Sequence, residues 1–466
     1  MSETPFHFRT ITEIAEAIAA KQLSPVDVTA AMLARIEQLD GQLKSYETVT
    51  AEQATAAAQK AEQEINAGKY RGPLHGVPIA VKDLCFTKGI PTRGATKALV
   101  GHVPAFDSTV VAKLEAAGAI LLGKLVLTEG AMGGYNPEFS IPKNPWNPDR
   151  WTGSSSSGSG VATAAGLCFG SLGSDTGGSI RFPSAACGIV GIKPTWGRVS
   201  RYGVFDLAES MDHVGPMTRS VADAGIILEA IAGFDPNDPT SLPNPVPNML
   251  EGIGQDLEGV RIGFDEHYAT HDIDGELADA VRAGVGVLAN QGAEIVEVEM
   301  PDVDEYVSAW PTLCATEAVV AHAATYPLLR ESYGPWFRGW LDMGAQVTGA
   351  AYAKANNLRA ACTGHLRRVF ADIDVLVCPS MSAPPHVVTE EGLYGAYEPR
   401  APKFQRFTVP FDYNGAPTLS VPCGMNSEGL PLSIQFVGKH LTEPLLCCVG
   451  HAYESATPWH NLHPDV

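Results

Sequence analysis

Apolar positions recur at helical spacing through roughly the first 65 residues of the chain. Thr10 and Glu13 are spaced as a capping box, and Ile14, Ala17 and Ile18 follow on one face. A second helix start has Ser24 as N-cap, Pro25 at the first helical position and Asp27 in the first turn. Its stripe is Val28, Met32 and Ile36, and an alanine-rich third helix is predicted over 51–67. The pattern changes after Gly72. The run Gly-Val-Pro-Ile-Ala-Val-Lys-Asp at 76–83 is almost continuously apolar and ends in a charged pair, as a buried strand does. A helix over 108–117 and a strand over 119–122 follow, and this alternation continues to about residue 235, which argues for an α/β core. Strand-like runs at 259–263 and 294–298 flank a helix near 275–290. A helical stretch over 304–370 carries Trp310, Tyr326, Tyr333, Trp336, Phe337 and Trp340. Strands return at 375–378, 418–422 and 433–437, and a helix closes the chain. Strand material on both sides of the helical stretch predicts one sheet with an insertion. The expected fold class is α/β. Residues 1–466 read as one domain, with an N-terminal helical region (1–70), a core (72–235) and a helical insertion (304–370) over a pocket.

Composition narrows the function. With 466 residues, 45% of them hydrophobic, the chain can bury a large core. Its 52 acidic and 32 basic residues give a net charge of −20, which repels phosphate backbones, and no basic run interleaved with aromatics occurs. No nucleic-acid partner is expected. The nine cysteines are odd in number and irregular in spacing, without a CxxC pair, so they read as reduced, buried thiols. The start, Met-Ser-Glu-Thr-Pro-Phe, lacks the features of a secretory signal, and no apolar run is long enough to span a bilayer. The expected location is the cytoplasm, away from membranes, and a homodimer is left open.

Two Gly/Ser segments carry candidate chemistry. Gly-Ser-Ser-Ser-Ser-Gly-Ser-Gly at 153–160 could be a linker, but it is anchored by Trp146, Trp151 and prolines and runs directly into a small-residue helix. A Ser/Gly loop at a helix N-terminus gathers hydroxyls and N–H groups in one place. In the second segment, Gly177 and Gly178 precede Ser179. Paired glycines can aim successive N–H groups beside a serine hydroxyl, as acyl transfer requires. A Gly-Gly-Ser turn alone is a weak signal. The elbow GxSxG is absent, since Arg181 stands where glycine is required, and none of the 13 histidines is near in sequence. Lys82 ends the buried run. It is either a lysine deprotonated by burial or the partner of Asp83 in an ion pair, and spacing alone favours the pair.

Together, residues 76–83, 153–160 and Gly-Ser-Asp-Thr-Gly-Gly-Ser-Ile-Arg-Phe-Pro at 173–183 resemble the amidase-signature family. Asp-His-Val-Gly-Pro-Met-Thr-Arg-Ser at 212–220 and the run at 429–438 fit it too. The resemblance implies the amidase-signature fold, a mixed central β-sheet surrounded by α-helices, and a Ser–cis-Ser–Lys triad cleaving C–N amide bonds. It assigns Ser179 as nucleophile, Ser155 as the cis-serine relay and Lys82 as base. The backbone N–H groups of Thr176, Gly177, Gly178 and Ser179 would form the oxyanion hole, with Asp175, Arg181 and Ser156 in support. Ser154 and Ser157 depart from the usual glycines, yet registering on Gly153 and on the offset to Ser179 both select Ser155. Met132, Tyr135 and Trp336 are pocket candidates. The implied partner is a small-molecule amide, with no cofactor. No HExxH, EF-hand loop or Cys/His cluster occurs, so no metal is expected.

The same family includes the glutaminase component of tRNA-dependent amidotransferases, which works in a complex. The acidic charge, the loss of paired glycines in 153–160 and Gln405 in place of an acidic residue before Thr408-Val409-Pro410 all disfavour that alternative. A catalytically dead relative is disfavoured because all three triad positions are filled.

Overall fold

The computed structural model describes residues 5–398 and 402–466. Its eleven strands form a single sheet. They are β1 (Tyr46–Val49), β2 (Pro78–Lys82), β3 (Ile120–Leu125), β4 (Gly170–Asp175), β5 (Val190–Lys193), β6 (His213–Thr218), β7 (Arg261–Phe264), β8 (Glu294–Glu297), β9 (Val375–Pro379), β10 (Thr418–Met425) and β11 (Pro431–Gly438). Their order is β1-β3-β2-β4-β6-β5-β10-β11-β9-β7-β8. The β3-β2-β4 and β9-β7-β8 triplets are parallel, and the hairpin β10-β11 and its neighbours are antiparallel. The sheet is therefore mixed and flanked by helices, as the resemblance implies.

The central strands β2, β4, β5, β6, β9 and β11 are buried along their whole length. That is why they read as continuous apolar or small-residue runs and not as alternation. The edge strand β8 instead has exposed ends and half-buried middle residues.

The N-terminal helices begin where their caps stand. Thr10 and Glu13 close a complete capping box on the helix Ile11–Ala19. The Ser24 hydroxyl accepts from the N–H groups of Val26 and Asp27 at the head of Pro25–Leu43, a cap contributing about 1 kcal/mol. Burial of Val28, Met32 and Ile36 then faces this helix into the core. The all-helical reading of this region needs one correction. Lys44, in a left-handed conformation, ends the second helix, and Tyr46–Val49 pairs antiparallel with β3 as the first edge strand. Four residues between two long helices are too short to show a period.

Between β8 and β9 lie the helices Asp304–Ala321, Pro335–Gly344 and Gly349–Val369. Pro335–Gly344 buries Trp336, Phe337, Trp340 and Leu341. Its bed is the loop after β3. A Cβ on Gly134 would come within 2.5 Å of Trp336, and the φ of +67° there is one that glycine adopts freely. The glycines of that loop let an indole lie directly on the backbone.

Candidate active site

Lys82 is the last residue of β2, and its side chain is fully buried. The parallel neighbours β3 and β4 fix where it emerges. Its Nζ donates to three hydroxyls, Ser155 Oγ at 2.7 Å, Ser156 Oγ at 2.9 Å and Ser174 Oγ at 2.9 Å. Asp83 takes no part. It forms an ion pair with Lys124 of β3 at 3.0 Å and accepts the Arg93 N–H at 2.9 Å. The Lys82–Asp83 pairing favoured by spacing alone is thus replaced by Lys124–Asp83, because successive side chains on an extended strand leave opposite faces.

Burial pushes the Lys82 ammonium down from 10.5 to about 7, against the smaller pull of Cys85, Asp175 and Asp212. Three hydroxyls supply dipoles but no compensating charge, so a large share of this lysine is neutral near pH 7.

Ser155 and Ser156 lie in a buried loop that leads into the helix Ser157–Ala164. The Ser154–Ser155 peptide bond is cis. The loop is tied to the neighbouring segment twice. The Ser156 N–H donates to Ser179 O at 3.3 Å, and Ser156 Oγ donates to Ser174 O at 3.2 Å. Every residue of 153–160 is buried, which rules out a linker.

Ser179 opens the turn from β4 into the helix Arg181–Cys187, and it is the half-buried member of the group, facing a cavity. Asp175, the last residue of β4, holds this turn. Its carboxylate accepts from Gly178 N at 2.7 Å and Ile180 N at 2.9 Å, and it pairs with Arg181 at 2.7 Å. Burial opposes the charge, yet the Arg181 guanidinium holds Asp175 well below the usual carboxylate range. Arg181 also pairs with Asp412 at 2.7 Å and donates to Thr408 O at 2.9 Å, which joins the turn to the far half of the sheet. Removing Arg181 would leave the buried Asp175 carboxylate uncompensated, at about 3–5 kcal/mol.

The four N–H groups expected to face an oxyanion are not equivalent. Gly178 differs from the expectation, because its N–H is engaged by Asp175. The N–H groups of Thr176, Gly177 and Ser179 have no protein acceptor among the described residues.

The cavity over Ser179 has a volume of about 260 Å³. Thr176, Gly177 and Ser154 line its floor, and Met132, Trp310, Trp336, Trp340, Phe182 and Tyr397 line its walls. Among the described residues no charged side chain and no histidine lines it. His213 sits behind the turn, with Nδ1 at 3.2 Å from Asp175 O and Nε2 at 3.3 Å from Lys193 Nζ. Of the expected pocket residues, Met132 and Trp336 reach the cavity. Tyr135 does not. It is buried with its hydroxyl beside Ser157 and Thr152, and its N–H binds Leu393 O at 2.8 Å. One more residue joins the group that the sequence reading did not single out. Ser174 is the third hydroxyl on Lys82, and alternation along β4 from Asp175 was the available signal.

A mixed sheet that brings a buried lysine, three serine hydroxyls and a cavity together places the chain among α/β folds with an enzyme-like cleft. The amidase family model matches residues 27–447, and the chain belongs to that family, which makes it an amide-hydrolysing enzyme. It is 46% identical over 461 residues to the Mycobacterium tuberculosis (strain ATCC 25618 / H37Rv) protein named "Putative amidase AmiD", covering 98% of this chain and 96% of that one. It is 38% identical over 485 residues to the A component of the glutamyl-tRNA(Gln) amidotransferase of Geobacter metallireducens, covering 98% and 99%. A solved amidase superposes with a TM-score of 0.85 at 30% identity, covering 96% of this chain and 99% of that one. No described helix is long and apolar enough to cross a membrane.

Proposed function

We propose that this chain hydrolyses the C–N bond of an uncharged small-molecule amide through a Ser179 acyl-enzyme, with Ser155 as proton relay and Lys82 as base. The observation that carries the reading is the 2.7 Å contact between Ser155 and a lysine with no acidic partner in reach of its nitrogen among the described residues. Ser179 Oγ attacks the carbonyl carbon while its proton passes to Ser155, whose own proton passes to neutral Lys82. The oxyanion is held by the N–H groups of Thr176, Gly177 and Ser179, and Gly178 serves the turn instead. The proton returns through Ser155 to the leaving nitrogen as the C–N bond breaks. Water then attacks the ester and is deprotonated by the same relay, releasing acid and free enzyme. Asp175, Arg181 and Ser156 hold the loops. The single sheet supports reading 1–466 as one amidase domain, and nine free, buried cysteines fit a reducing cytoplasm.

A fluorophosphonate probe should label wild-type enzyme at Ser179 and leave Ser179→Ala untouched. Labelling elsewhere, or turnover that survives the substitution, would remove Ser179 from the role.

The relatives named as amidotransferase components motivate a second reading, glutaminase action within a complex. Free glutamine carries an ammonium and a carboxylate that must be matched when desolvated. The cavity offers Gln405, Ser308 and aromatic faces, and no charge among the described residues. The amidase reading is therefore preferred. Assaying the purified chain with L-glutamine and with a neutral aryl amide separates the two: faster glutamine turnover would reverse the preference.

A further inference from the structure

The main chain from Thr176 to Ser179 is fixed peptide by peptide, and each partner comes from a different part of the molecule. Asp175 of β4 takes the Gly178 N–H at 2.7 Å. The Thr408 hydroxyl donates to Gly177 O at 2.8 Å, and Gln405 Nε2 donates to the same oxygen at 3.3 Å. The Thr176 hydroxyl donates to Asp212 Oδ1 at 2.5 Å. The Phe182 N–H donates to Gly178 O at 2.7 Å, and Thr176 O accepts from Trp310 Nε1 at 3.0 Å. Trp310 belongs to the helical insertion, on Asp304–Ala321, and it is also a wall of the acyl cavity.

That contact has a geometric consequence. In a trans peptide the C=O and the following N–H point in opposite directions. A donor that holds Thr176 O therefore sets the direction of the Gly177 N–H, which has no protein acceptor of its own among the described residues. The indole also lies against the glycine itself. A Cβ on Gly177 would come within 2.6 Å of the Trp310 ring and 2.9 Å of Gln405 Nε2. Packing alone does not require the hydrogen bond. Trp340, at 5.7 Å centroid distance in the same aromatic wall, leaves its Nε1 without a partner among the described residues.

We propose that Trp310 is a positioning residue for the oxyanion hole, its indole N–H orienting the Thr176–Gly177 peptide so that the Gly177 N–H meets the developing oxyanion. The proposal rests on Ser179 being the nucleophile. It gives one side chain of the insertion two jobs, closing the acyl pocket and aiming a catalytic donor.

The test replaces Trp310 with phenylalanine and, by genetic code expansion, with 3-benzothienylalanine, which keeps the two-ring shape and loses only the N–H. Turnover is measured on a small acyl amide and a bulky aromatic amide, alongside the rate constant for fluorophosphonate labelling. The benzothienyl enzyme should lose about tenfold in kcat on both substrates and in labelling rate, less than the 100- to 1000-fold of a deleted oxyanion donor, with KM nearly unchanged. Wild-type kcat in the benzothienyl enzyme would overturn the proposal, as would a loss confined to KM of the bulky amide, the signature of a wall residue. If Trp310→Phe fails to fold, the isosteric variant still decides. Failure of the underlying reading looks different, because wild-type enzyme would then escape labelling at Ser179.

Discussion

The proposed catalytic centre and the pocket wall are built by opposite means. The centre is made of short polar side chains at strand ends, Lys82 on β2 and Ser174 on β4, with Ser155 and Ser179 on loops beside them. The Lys82 Nζ is held by three hydroxyls, and Asp175, Arg181 and Asp412 behind it are fully buried and paired. The wall is made of large rings from distant segments, Trp310 and Trp336 from the insertion and Tyr397 from beyond β9, seated against glycine-rich backbone. Hydrogen bonds hold the Lys82 end of the centre, as the proposed proton transfer requires. Contact area fixes the wall, which tolerates exchange of shape and on the proposed function would set which amide enters. The Glu129 carboxylate ties the loop after β3 to the wall, accepting from Asn136 at 2.9 Å and from the Gly334 N–H at 2.8 Å at the head of the Trp336 helix.

If the comparison holds, damage to the centre should fall on kcat for every substrate. Ser179→Ala should lower kcat by at least about 1000-fold irrespective of acyl group, measured by steady-state turnover with matched thermal melts. Lys82 comes next. If Lys82 is the base, its neutral form is the reactive one, and activity should rise with pH through about 7 and hold into the alkaline range. Lys82→Ala should fall about 100-fold or more and lose that ionisation, within the range expected of general-base removal. Lys82→Arg should not recover it, because guanidinium stays charged. An active arginine variant with an unchanged pH–rate profile would dissolve the distinction between centre and wall at this residue.

Damage to the wall should instead discriminate between substrates. Trp336→Ala should raise KM for a bulky aromatic amide about tenfold and leave a small acyl amide nearly untouched. Equal losses on both would mean that the wall also shapes the centre. The smallest effect is expected at Glu129, whose carboxyl is pushed up to about 7 by burial. Glu129→Ala should loosen the Gly334 N–H and raise KM for the bulky amide about threefold, near the cost of one ordinary hydrogen bond, with kcat preserved.

The regions were legible in the sequence to different degrees for the same physical reason. Fully buried strands announce themselves as unbroken apolar runs, so β2, β9 and the start of β10 were placed to within a few residues. Capping signals marked the helices at Thr10 and Ser24. The four-residue β1 escaped, having no period of its own and borrowing its pairing from β3. Met132 and Trp336 line the cavity, whereas Tyr135, three residues from Met132, turns away into the core.

By itself the sequence determined the residue types, their order along the chain and the strand–loop settings that let Lys82, Ser155 and Ser179 be named together. Those are local properties, written in contiguous motifs. Only the tertiary structure decided which charge answers which. Asp83 goes to Lys124 across a strand pair, and Lys82 is left to three hydroxyls, one of them from a residue 92 positions away. Likewise it took the packed insertion to bring the Trp310 indole against Thr176, across 134 positions. Such contacts depend on sheet order and helix docking, which no local pattern encodes, and the lowered pKa of Lys82 exists only once the surrounding core has excluded water.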